Sequence, residues 1–319
     1  MSSAHPAARP LFLAAALFCL TPWATPALAL ALGMALALTL GNPFPVRVAA
    51  AAKALLKASV VGLGFGIPLA AVLRACAAGV GYTVAAIAAA LLLGIALGRA
   101  LRVERETSWL ITAGMSICGG SAIAAVGAAI RARSDAMSVA LATVFLLNAV
   151  ALYLFPPIGH YLELSQRQFA VWAAVAIHDT SSVVGAAASY GPRALADATV
   201  LKLARALWII PLTFGAAALA REDDADSEDR VAVAIPWFIV FFLAAAVVRT
   251  LLPVAAHPAL DLLARLARVG LVLTLLLIGM GLSRSALREI GARPLVQGVT
   301  LWAILATLTL FAVRRWVGA

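Results

Sequence analysis

Charge is the scarcest thing in this sequence. Only 12% of its 319 residues are charged, and just 14 are acidic, whereas a soluble domain carries roughly 25% charged residues. Too little charge remains to coat a water-facing surface, which excludes a soluble globular domain. Cysteine is scarce as well. Cys19, Cys76 and Cys118 lie in apolar segments at no metal-ligand spacing and read as small packed side chains, not as a disulfide framework. Nucleotide motifs are missing. Gly62-Leu63-Gly64-Phe65-Gly66 has no strand before it and no acidic residue at the right distance after it, so it reads as a kink or packing site in a helix. The net charge of +10 does not imply nucleic acid, because the basic residues are scattered through short connections and suit anionic lipid headgroups better.

What the sequence has in quantity is apolar length. Hydrophobic residues make up 64% of the chain, and the mean hydropathy is +1.03. A bilayer core needs ~20 apolar residues per helix, and stretches of that kind fall at about 25–40, 49–73, 79–98, 108–130, 135–158, 168–190, 195–219, 231–254, 268–283 and 292–316. An eleventh, at 11–20, is too short to cross and reads as an entry helix or half-helix. A cleaved signal is the alternative, since Ala27-Leu28-Ala29 imitates a cleavage site, but the apolar run continues past it. The polar stretch Arg221–Arg230 reads as a solvated loop. Gly94 and Gly98 have the small-xxx-small spacing of close helix contacts.

Two of these stretches have an interrupted middle. One breaks at Gly114–Ser121, the other at His178-Asp179-Thr180-Ser181-Ser182, and a weaker case is Gly279–Ser283. Glycine weakens a helix by ~1 kcal/mol relative to alanine, and hydroxyls offer the backbone other partners. Unwound backbone at membrane depth survives only inside protein or beside a water-filled cavity. Transporters use such breaks to aim half-helix N-termini at a substrate.

Few titratable residues lie inside the apolar stretches. Asp179 at mid-helix costs ~3 kcal/mol on insertion scales, so the sequence predicts that it faces inward, either as a proton site with His178 or as a cap on the following half-helix. Lys202 and Arg205, three residues apart, share a helix face away from either end. They predict an anion or acid partner, with snorkelling to an interface as the plainer alternative. Asn148 reads as a hydrogen bond between helices, and Cys118 as packing.

The segments Gly114-Met115-Ser116-Ile117-Cys118-Gly119-Gly120-Ser121, Ala176-Ile177-His178-Asp179-Thr180-Ser181-Ser182 and Lys202-Leu203-Ala204-Arg205 resemble the YeiH-type family, whose members are often called sulfate exporters. The resemblance runs from about residue 30 onward. It implies a relation to bile-acid/sodium-symporter and cation/proton-antiporter folds, with inverted five-helix repeats and crossing broken helices. The positions that match are Ser116, Cys118, Gly119, Gly120, Ser121, His178, Asp179, Thr180, Ser181, Ser182, Lys202 and Arg205.

Together these readings predict an all-α, multi-pass protein of the cell (inner) membrane, with ten or eleven helices in one domain. Residues 1–24 form an entry segment, 25–158 a first repeat and 168–317 a second, with 108–130 paired to 268–283 or, in a competing scheme, to 168–190. The expected function is secondary transport of a small anion, with a sulfur oxyanion the expected class, coupled to a proton or sodium. The anion would rest near Gly119–Ser121 and Thr180–Ser182, balanced by Lys202 and Arg205, with His178 or Asp179 taking the proton. An intramembrane enzyme with a serine nucleophile, and an anion channel, are the rivals. No metal, cofactor or nucleic acid is expected; a homo-oligomer is compatible with the sequence.

Overall fold

The computed structural model describes residues 7–221, 237–281 and 291–317. The polar loop after Arg221 and the end of the Gly279–Ser283 segment therefore lie outside the described residues, as does the side chain of Cys76. Every regular element among the described residues is helical: α1 (Ala8–Phe18), α2 (Pro26–Thr39), α3 (Pro45–Gly64), α4 (Leu69–Ala100), α5 (Arg105–Ser116), α6 (Gly120–Ala129), α7 (Ser134–Tyr161), α8 (Gln166–Ala176), α9 (Thr180–Tyr190), α10 (Pro192–Ala206), α11 (Ile209–Arg221), α12 (Trp237–Leu251), α13 (His257–Gly281) and α14 (Ala292–Trp316). Four segments, Gly81–Ala100, Ser134–Tyr161, Val254–Gly281 and Ala292–Trp316, are long and apolar enough to cross a membrane by themselves. The chain is an all-α, multi-pass membrane protein.

Proline sets several helix starts, because a first-turn N–H has no intrahelical partner to lose. Pro26, Pro45 and Pro192 open α2, α3 and α10. Pro68 places one boundary that the hydropathy pattern put elsewhere. The chain breaks at Phe65–Pro68, and α4 then runs unbroken through residues 74–78, where a loop was expected. Gly62–Pro68 is thus a helix end, not a kink inside a helix. A second unforeseen break separates α10 from α11 at Leu207-Trp208.

The larger difference concerns 108–130 and 168–190. Both are interrupted as expected, but neither crosses the membrane; each turns back. At the far end of α9, Tyr190 stacks on Phe169 in the first turn of α8 at 3.8 Å. Its hydroxyl donates to Leu164 O, before α8, at 2.5 Å. Gln166 Oε1 accepts from the amides of Arg193 and Ala194 at 2.9 and 3.2 Å. Likewise, after α6 the chain returns to the start of α5, where Arg133 pairs with Glu104 and its amide donates to Glu106 Oε2 at 3.0 Å. So α5–α6 and α8–α9 are re-entrant hairpins with their bases closed by polar contacts.

Helix α7 fixes how the hairpins face each other. It begins beside the base of the first hairpin and ends beside the base of the second. Its 28 residues rise ~42 Å, longer than the ~30 Å hydrocarbon core. The hairpins therefore enter from opposite faces. Their first arms, of 12 and 11 residues, rise ~16–18 Å and stop near the bilayer middle. The segment 108–130 thus meets 168–190 tip to tip. The weaker break expected at Gly279–Ser283 falls at the end of α13, which is continuous to Gly281.

Around this centre, α10, α7, α4 and α14 pack on the hairpins, while α2, α3, α12 and α13 pack mainly on one another. Gly33 and Gly279 bring α2 and α13 into backbone contact; a Cβ on Gly279 would lie 2.5 Å from Leu30 O. Gln297 of α14 donates to Gly94 O at 3.0 Å and to Ser108 Oγ at 2.9 Å, joining α14 to α4 and α5.

Re-entrance makes a topological prediction. In a cysteine-free background, Arg105→Cys and Asp135→Cys are expected to react with an impermeant maleimide from one face of sealed vesicles. Tyr161→Cys and Arg193→Cys are expected to react only from the other. Opposite-face labelling within either pair would mean that the segment crosses.

Candidate functional site

The two tips lie at 117–119 and 177–179, and the backbone itself creates the problem to be solved there. Helices α5 and α8 end at mid-membrane with carbonyls that have no intrahelical partner, while α6 and α9 begin there with unpartnered amides. Helix α10 answers the first half. Lys202 Nζ donates to Ile117 O at 3.0 Å, Ile177 O at 2.8 Å and Ala174 O at 3.3 Å. Arg205 donates through Nε to Ser116 O at 2.9 Å and through Nη1 to Val175 O at 3.0 Å, and its Nη2 also reaches Ser116 O. One pair of cations thus holds the carbonyl ends of both hairpins. Lys202 and Arg205 are 0% and 1% exposed, so snorkelling to a headgroup is excluded.

All three ammonium donors of Lys202 are engaged by carbonyls. The side chain lends the junction positive charge, not a free hydrogen bond. Three acceptors also match an ammonium rather than an amine, which has only two donors. Being buried, it also contributes to stability, since its removal strands three carbonyls.

The second tip is capped from within. Asp179 is the N-cap of α9, and its Oδ2 accepts from Ser182 N at 3.0 Å, from Ser182 Oγ at 3.2 Å and from Ser181 Oγ. Three donors thus converge on one carboxyl oxygen. Asp179 is half-buried, as is Thr180. Helix α7 anchors the same tip, since Asn148 Oδ1 accepts from the amides of His178 and Asp179 at 2.9 and 3.3 Å.

The first tip has no such carboxylate. Gly119, the N-cap of α6, offers no side chain to cap it. Its φ of +64° falls in the region that favours glycine, and a Cβ there would lie 3.3 Å from His178 O, so the tips meet backbone to backbone at this residue. Gly120 packs on α7, where a Cβ would approach the Phe145 ring at 3.0 Å. Cys118, directly before Gly119, is buried, and Ser121 is exposed. Ser116 is less available, since its hydroxyl donates back to Thr112 O and Ala113 O at 2.9 and 3.0 Å.

The tips therefore bring together Cys118, Gly119, Gly120, Ser121, His178, Asp179, Thr180, Ser181 and Ser182, with Lys202 and Arg205 behind the carbonyl ends. Among the described side-chain nitrogens and oxygens, four are buried with no hydrogen-bond partner, and three of these belong to the site: both imidazole nitrogens of His178 and Asn148 Nδ2. Sequence reasoning placed Asn148 between helices but could not see that its amide holds a hairpin tip. The signal was a lone amide halfway along an apolar span; its position opposite the tip depends on the hairpin turning back.

The Lys202 arrangement predicts a large stability effect. Lys202→Met leaves three buried carbonyls without their donor and is expected to destabilise the protein by ~3 kcal/mol or more, read as a lowered unfolding midpoint in detergent. A variant that melts with the parent protein would show that the cap is dispensable.

Residues 11–298 match the family model described as Conserved hypothetical protein 698. A UPF0324 membrane protein of Geobacter sulfurreducens is 47% identical over 296 residues, covering 93% of each chain. One from Bdellovibrio bacteriovorus is 48% identical over 302 residues, covering 95% of this chain and 93% of its own. One from Vibrio vulnificus is 44% identical over 299 residues, covering 94% and 96%. No solved structure matches. With a family model matching nearly its whole length, and relatives this similar from end to end, the chain belongs to the UPF0324 family of membrane proteins.

Proposed function

We propose that this protein is a secondary transporter of a small anion in the cell membrane, with the hairpin tips as its binding site. The observation that carries this reading is the charge balance at the tips. Two helix C-termini and two helix N-termini converge, and their dipole ends, about half a charge each, offset one another. Lys202 and Arg205 are then opposed only by Asp179 among the charged side chains at the tips, which leaves one positive charge at the bilayer middle. An uncompensated charge in such a medium is strongly unfavourable, and an anion relieves it: a monovalent one while Asp179 is ionised, a divalent one when Asp179 carries the coupled proton. The uncapped N-terminus of α6 supplies amides where such an anion would bind.

Opposed hairpins give a site that can be closed from either face, as secondary transport requires. The resemblance to YeiH-type proteins favours a sulfur oxyanion such as sulfite or sulfate. Asp179 is the proposed proton carrier, because it joins the tip to a half-buried position; sodium is the alternative coupling ion. The hydrolase reading lacks a relay. Ser181 and Ser182 donate to Asp179, and no hydroxyl among the described residues bonds the His178 ring.

Purified protein in liposomes is expected to give saturable sulfite or sulfate uptake and counterflow. Flux no greater than in protein-free vesicles would reject the transport reading, and uptake that never saturates would favour a channel. Asp179→Asn keeps an acceptor for Ser182 N, so it is expected to fold and to transport with a flattened pH profile. An unchanged profile would reduce Asp179 to a helix cap.

A further inference from the structure

Asn148 lies on the face of α7 that lines the tip junction. One turn earlier, Val144 touches the site of Gly119, where a Cβ would lie 3.4 Å from Val144 Cγ1; Phe145 and Leu141 pack against Gly120. Positions 141, 145 and 148, with 144, follow the three-and-four spacing of one helix face. Asn148 is therefore adjacent to the uncapped start of α6 and bonded to the tip of the second hairpin at once. Its amide is used asymmetrically. The oxygen accepts two tip amides, whereas Nδ2, on a side chain only 3% exposed, has no partner. A buried donor without an acceptor costs ~1–3 kcal/mol. The imidazole of His178, 0% exposed and joined to Asn148 through its own backbone amide, has the same unmet capacity at both nitrogens.

We infer that Asn148 and His178 form an oxyanion subsite, in which Asn148 Nδ2 and the imidazole hydrogen-bond to substrate oxygens while the α6 amides hold the charge. This rests on the transport reading and adds the substrate class to it. The donors come from three elements, α6, α7 and the second tip. An oxyanion presents several acceptor oxygens to such a spread, whereas a halide is one point of charge. Asn148 is thus a specificity residue as well as the anchor of the tip.

Two variants separate the donor from the anchor. Asn148→Asp preserves an oxygen for the His178 and Asp179 amides but replaces the Nδ2 donor by a second oxygen. His178→Leu leaves the backbone amide on Asn148 and removes only the ring nitrogens. In sulfite counterflow, each is expected to raise KM at least tenfold, about the effect of one lost hydrogen bond to a charged group, with His178→Gln recovering part of the loss. Chloride at equal concentration is expected not to compete with sulfite in the parent protein. Active parent protein with an unchanged KM in His178→Leu and in folded Asn148→Asp would overturn the subsite. Equal competition by chloride would overturn the oxyanion class. Absence of flux in the parent protein would instead reject the transport reading itself.

Discussion

A polypeptide that stops in the middle of a bilayer leaves carbonyls and amides that neither lipid nor the helix itself can satisfy, and the rest of this structure depends on how that is resolved. Lys202 and Arg205 resolve it for five carbonyls of two different hairpins. Each guanidinium or ammonium donor replaces water at a place where none is available, and the cations sit at the negative ends of α5 and α8, where the helix dipole favours them. Because the same two side chains hold both tips, the hairpins are joined through α10 as well as through direct contact at Gly119.

The amide ends are treated differently, and that asymmetry is what makes the junction a site. Asp179 caps α9 from within its own chain segment. Helix α6 begins at a glycine whose backbone conformation and close approach to His178 leave no room for a capping side chain. One positive helix end is thus neutralised and the other is open. Asn148 and His178, which join α7 to the second tip, carry buried groups with unmet hydrogen-bonding capacity, Nδ2 and the imidazole ring. In a protein interior such groups are rare, because each lowers stability unless something else supplies the partner.

The outer helices follow a different rule. Helices α2, α3, α12 and α13 carry no comparable cluster of buried ion–carbonyl contacts among the described residues, and they pack by close approach. The Gly33–Gly279 contact is the clearest example, with backbones near enough that a single added methyl must displace them. Lipid supplies no hydrophobic drive between helices, so shape and small residues do that work.

Much of this was legible in the residues alone. Scarce charge and long apolar stretches determined an all-α membrane protein, since only helix satisfies the backbone of such segments in lipid without a closed sheet. The glycine and hydroxyl clusters at 114–121 and 178–182 determined where the helices stop, and the cost of charge in lipid pointed Asp179 inward, while Lys202 and Arg205 were left between an inward partner and the headgroups. What the sequence left open is direction. After an interruption, a helix can continue across the membrane or turn back, and the local propensities of residues 117–119 and 177–179 are compatible with both. Only tertiary contacts far apart in the chain decided it: Tyr190 against Phe169, Arg133 against Glu104, and two cations on α10 that reach carbonyls as many as 89 positions away in sequence. The role of Asn148 depends on that same choice, because its amide meets a hairpin tip only if the chain has turned back to make one.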